Sequence, residues 1–196
     1  MRIAHQGVEP VVASTSYIAP TAVLCGNVTV GDDCRIMFGA VLVAEGAPVS
    51  IGPRTIIMEN AVLRGWPDLP VSLGHDVYIG AGVSINGATL EDGVYVAAGA
   101  SVLPGAVVGA RTIVRTNAVV HINSVVAENG RVPDGWTAIG NPAQVVPPGP
   151  DERMLVSLDG LNFSKAVFGE GREEVGTQRY LDFLATHLAD TVADVS

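Results

Sequence analysis

The chain has 196 residues and a formal net charge of −9, from 11 Lys and Arg against 20 Asp and Glu. It is 48% hydrophobic but only 5% aromatic, and it carries 23 Gly and 12 Pro. Hydrophobicity at this level excludes a disordered chain, the many breakers exclude an ordinary helical bundle, and the acidic balance argues against a nucleic-acid partner.

The first element is a repeat. Aliphatic residues recur every six positions at Ile18, Leu24, Val30, Ile36 and Leu42. A longer step leads to Ile51, Ile57 and Leu63, and another to Leu73, Ile79 and Ile85. A shortened step then leads to Leu90, Val96, Val102, Val108, Val114 and Val120. The residue two before each aliphatic is usually small, as at Ala22, Cys34, Ala40, Thr55, Ala61, Ala88, Ala100, Ala106, Thr112 and Ala118. A period of six fits neither a helix nor plain strand alternation. It fits a short strand followed by a tight corner. Three such units close one triangular coil, with the aliphatic and the small residue filling its interior. Five to six coils are expected, over about residues 14–146.

The longer steps predict loops at Val43–Ser50 and Arg64–Ser72 that project from the coil, the second carrying Trp66 to a pocket or a subunit contact. After Val120 the repeat decays, and Asn129–Trp136 reads as a loop before Ile139–Ala143 returns briefly to the coil. Pro147–Pro150 reads as a linker. A helix is expected from about Glu173 to Ala193, with Leu181, Leu184, Leu188 and Val192 on one stripe. It is expected to pack on the coil or on a neighbouring subunit. The domain division is thus a β-solenoid over 1–148 and a helical tail over 149–196. No apolar run approaches a membrane span, the first residues carry no apolar signal region, and Cys25 and Cys34 cannot make a disulfide framework. A cytoplasmic protein with reduced thiols is expected, with neither a membrane nor a nucleic acid as partner.

This pattern resembles the hexapeptide-repeat proteins, whose fold is a left-handed parallel β-helix. Within them the layout is most similar to the gamma-class carbonic anhydrases. The likeness rests on Pro20–Gly31, on Ile51–Thr55, on the short step Ile85–Leu90, and on Ile139–Ala143 followed by a helical tail. The resemblance implies a homotrimer. It also implies a divalent metal between subunits, held by three histidines. At the matching positions this chain has Arg64, Ala81 and Asn86. Arg cannot ligate, Ala has no donor, and an amide is a poor zinc ligand. The family's Arg-Gly-Asp corresponds to Val43-Ala44-Glu45, and its Gln-Asp-Gly to Met58-Glu59-Asn60. No metal site of the family type, no cofactor, and no carbonic anhydrase activity by the family mechanism are therefore expected.

The register stacks Val43, Arg64, Asn86, Leu103 and His121 in one column. Arg64 and Asn86 are then near neighbours, and Ala81, Glu45 and Met58 complete the candidate ligand-binding set. Arg supplies a permanent charge and a forked donor set, and Asn both a donor and an acceptor. A small anion or carboxylate fits them. The competing reading is an ion pair of Arg64 with Glu59 or Glu45 across the interface. His75, His121 and Glu59 are the candidates for a catalytic base, while His5 and His187 read as bystanders and Cys25 as accessible. A second class of function stays open, a hexapeptide-repeat acyltransferase using acyl-CoA with His75 or His121 as base. Lys165 is the single lysine, so no basic cluster is at hand for CoA phosphates. A new metal-free reaction in the former metal pocket is a third reading, and whether the chain is an enzyme is left open.

Overall fold

The computed structural model describes residues 1–149 and, beyond them, Ala185. The expected helix over 173–193 otherwise lies outside the described residues. Among the described residues, short strands form three sheets of nine, seven and seven strands, the faces of a triangular prism. The chain visits the faces in fixed order, so each strand pairs in parallel with the strand one coil later. The prism is a left-handed β-helix.

Chemistry repeats at fixed places in the coil. The predicted aliphatics from Leu24 to Val120 all lie in the interior, and Leu24, Leu42, Leu63, Ile79 and Ile85 have no exposure at all. The small residues two before them are buried as well. Larger side chains would not fit between faces this close, which accounts for the low aromatic content. Thr55 and Thr112 occupy small inward positions and satisfy their hydroxyls by donating to the backbone carbonyls of Gly74 and Ala127 at 3.2 and 3.0 Å. Cys34 does the same with the Gly52 carbonyl at 3.2 Å. Turns at the corners need a left-handed residue, supplied for example by Gly39, Gly82 and Gly99 and by Asn60 and Asn117.

Three expectations are corrected. The coil starts at Arg2–Ile3, well before residue 14, and continues past Val120 through Val125–Val126, Arg131–Val132 and Thr137–Ile139. About seven full coils result, where five to six were expected. The stretch 129–136 is no loop. Its Asn129 and Gly135 are corner residues with φ of 58° and 71°, and Val132 between them is fully buried. Polar turn residues there masked an intact repeat. Last, Trp66 does not project. It is 7% exposed within its own chain.

The two longer steps stack on each other instead of standing free. Backbone bonds of 3.0 and 2.9 Å close Trp66 onto Leu69 in a tight turn. Gly46 lets this turn approach, because a Cβ there would sit 2.6 Å from the Pro67 ring. The last described strand, Gln144–Val146, folds back antiparallel on Thr137–Ile139.

Candidate functional site

The register joins the predicted column. Arg64 pairs with Val43 on one side and with Asn86 on the other. One coil further Ile85 pairs with Val102, and then Val102 with Val120, which puts Leu103 and His121 next in line. Adjacent coils are roughly 4.8 Å apart, so His121 is roughly 10 Å from Asn86.

The candidate residues divide between corners. Arg64, Asn86 and Glu45 lie where the first face turns into the second. Met58, Glu59 and Ala81 lie where the third face turns into the first, with Gly82 N–H donating to the Glu59 carbonyl at 2.9 Å. His75 lies at the remaining corner. A single chain therefore does not bring Ala81, Met58 or Glu59 to Arg64.

Glu45 is the partner of Arg64, and it belongs to the same chain. The Arg64 Nη1 to Glu45 Oε2 distance is 3.4 Å, with the Glu45 side chain 4% and the Arg64 side chain 31% exposed. Glu45 is held there by its backbone N–H, which donates to the Gly65 carbonyl at 3.1 Å. The guanidinium also lies 5.6 Å from the Trp66 ring centroid, a cation–π distance. Asn86 donates from Nδ2 to the Ser84 hydroxyl at 3.1 Å. Burial, followed by the Glu45 charge, raises the Cys25 thiol pKa. Cys25 is 8% exposed, which corrects the expectation of an accessible thiol. Both cysteines are therefore expected to react slowly with a thiol-specific reagent at neutral pH, and promptly only in denaturant. A fast-reacting equivalent in the native protein would contradict that burial.

With this geometry in place, similarity to known proteins becomes informative. No family model matches the chain. Gamma carbonic anhydrase 1, mitochondrial, of Arabidopsis thaliana is 28% identical over 181 residues, which is 89% of this chain and 64% of that protein. The carbonic anhydrase of Geobacillus kaustophilus is 30% identical over 84 residues, 43% of this chain and 46% of that protein. This chain is a hexapeptide-repeat β-helix similar to the gamma carbonic anhydrases. A hexapeptide transferase family protein from Anaplasma phagocytophilum superposes with a TM-score of 0.55 at 24% identity, covering 85% of this chain and 94% of that one, and it supports the fold. The gamma-carbonic-anhydrase-like chain spans between about a third and two thirds of the length of the curated relatives it matches.

At the third corner of this β-helix, ions bind coil to coil. Arg54 grips Asp76 through Nε and Nη2 at 2.6 and 2.7 Å. His75 bridges Asp76 at 2.7 Å and Asp92 at 2.9 Å. Further along, Arg111 pairs with Glu128 and donates to Asn129. Arg54 and Arg111 both hold a left-handed backbone, φ 55° and 57°, where Gly or Asn is usual. His75 is thus part of a stacking ladder, not of the Arg64 corner. His121 is half-buried, and burial lowers its pKa from the ordinary imidazole value.

The Arg54 hydrogen bonds, then that of His75, hold the Asp76 carboxyl at about 2. A carboxylate with a depressed folded-state pKa stabilises the fold above its ordinary value and loses that contribution as pH falls through the folded one. For Asp76 the window runs from about 3.8 down to about 2. Carbon-detected NMR titration is expected to show this midpoint, and in Arg54→Ala a return toward the ordinary carboxylate range. An unchanged midpoint in the variant would remove Arg54 as the cause.

Sequence reasoning missed two features of the first corner. His5 is buried there, and Trp66 is folded under the guanidinium. Both stand outside the six-residue rhythm. The available signal was Gly26, which faces both His5 and Ala44.

Proposed function

We propose that the chain assembles as a homotrimer and binds a small carboxylate or other small anion at Arg64, without the divalent metal of the gamma carbonic anhydrases and without CO2 hydration by their route. The observation that carries this reading is the setting of Arg64. Its side chain is 31% exposed, with the guanidinium beside Glu45 and Trp66 and the residue one coil from Asn86. A guanidinium has five N–H donors in a fixed fork. One ion pair with Glu45 leaves donors for a ligand carboxylate, and Asn86 adds a neutral donor and acceptor beside them.

The family's metal does not fit these residues. Arg64 places a permanent cation where a ligand nitrogen is needed. Asn86 is an amide, Ala81 has no donor, and His121 is two coils beyond Asn86. No group of three or more His, Cys, Asp or Glu able to hold a metal occurs among the described residues. The trimer supports the reading because Ala81 and Glu59 stand at another corner from Arg64, so a neighbouring subunit is needed to complete the pocket.

The test is a thermal-shift titration with acetate, bicarbonate and acetyl-CoA, with light scattering on the same sample. Acetate or bicarbonate is expected to raise Tm saturably in the native chain and not in Arg64→Ala. Stabilisation by acetyl-CoA alone would replace the reading with an acyltransferase. Stoichiometric zinc, iron or cobalt in the purified protein, or a monomer at micromolar concentration, would overturn it.

A further inference from the structure

His5 is 4% exposed, and neither of its ring nitrogens has a hydrogen-bond partner among the described residues. A neutral imidazole carries one donor and one acceptor. Burying both without a partner costs their desolvation, and folded proteins normally meet such groups with a protein atom or with an occupant.

The ring is fixed from behind. The His5 backbone N–H and C=O exchange bonds of 3.0 Å with Val8, closing a two-residue turn through Gln6 and Gly7 at φ 51° and 71°. Gln is an unusual residue at such an angle, so the surrounding structure imposes it. On the next coil Gly26 makes room, since a Cβ there would lie 3.2 Å from the His5 Cβ and 3.1 Å from the Ala44 carbonyl.

His5 borders a cavity of about 130 Å3, whose lining also includes Gln6, Asn27, Ala44, Gly46 and Ala47. At roughly 30 Å3 per water this holds about four waters, or one molecule of four or five heavy atoms. No Lys or Arg lines it. Glu45, between two lining residues, is buried and does not line the cavity, and its Oε2 faces Arg64 at 3.4 Å. With no cation in its lining, the cavity offers nothing to offset the desolvation of an anion. The remaining polar residues are His5, Gln6 and Asn27, and the two amides offer donors and acceptors without charge.

We propose that this cavity binds a small neutral molecule with a hydrogen-bond donor and acceptor on neighbouring atoms, of the primary-carboxamide or urea type, with the His5 ring as a direct partner. The site lies at the same corner as Arg64, but its lining includes none of Arg64, Glu45 and Asn86. It takes a neutral ligand where Arg64 takes an anion.

Acetamide and acetate have nearly the same shape and differ in charge, so they tell the two sites apart. With 15N-labelled histidine, acetamide is expected to shift the His5 ring resonances saturably, and acetate to leave them in place. His5→Phe keeps the bulk of the ring and should weaken acetamide binding at least about tenfold, the loss of one good hydrogen bond. Asn27→Leu, at an exposed position, should also weaken it while circular dichroism stays native. The inference is overturned if acetamide produces no saturable shift, which leaves water alone in the cavity. It is equally overturned if acetate acts as well as acetamide, or if both variants bind acetamide like the native chain.

Discussion

Leu63→Ala is expected to lower the unfolding free energy by about 3–5 kcal/mol, in the upper part of the range for core truncations. Leu63 has no exposure, and it stacks in register between Leu42 and Ile85. Three walls of parallel hydrogen bonds surround it, so the space left behind cannot collapse. Val12, by contrast, is only partly buried near the first coil, and Val12→Ala should cost about 1 kcal/mol. Urea denaturation of both variants checks the contrast. Equal costs would mean that the interior adjusts more freely than its walls suggest.

The second large effect belongs to the ion pair. Arg64→Ala strands Glu45, which is 3% exposed, without its counter-charge. Removing one partner of a buried pair costs about 3–5 kcal/mol, and the partial exposure of Arg64 puts this case at the low end. Adding Glu45→Gln to Arg64→Ala should recover about 1–2 kcal/mol, since a neutral amide needs no counter-charge. Glu45→Gln alone separates two roles for the carboxylate. It removes the competitor for Arg64, so acetate binding is expected to tighten several-fold. Weaker acetate binding would mean that Glu45 chiefly aims the guanidinium. Calorimetric titration of acetate into each variant reads this directly.

The coil was legible because one chemical rule repeats at every turn of it. An aliphatic at each sixth residue, with a small residue two before, gave the interior from Leu24 to Val120 without error. The same count gave the column from Val43 to His121. The rule failed where corners carry unusual residues. Asn129, Arg131 and Asp134 read as a polar loop although Val126 and Val132 continue the core beneath them. Likewise the Arg64 partner was narrowed to Glu45 or Glu59 but was placed across a subunit interface. The closing turn at Trp66–Leu69, which packs onto Gly46, brings the two longer steps together inside one chain. His5 was read as a bystander and Trp66 as carried on a projecting loop, because burial outside the repeat depends on how loops stack, and spacing does not report that.

The reversed strand Gln144–Val146 bears on how such a molecule ages in solution. A prism of stacked coils is a ready template for fibre growth, since each end offers unpaired backbone to the next molecule. Growth would need all three faces to continue in step with parallel strands. One reversed strand on the first face breaks that registry for the whole cross-section. Removing residues 144–146 should therefore turn a discrete particle into one that lengthens end to end, most visibly at high concentration.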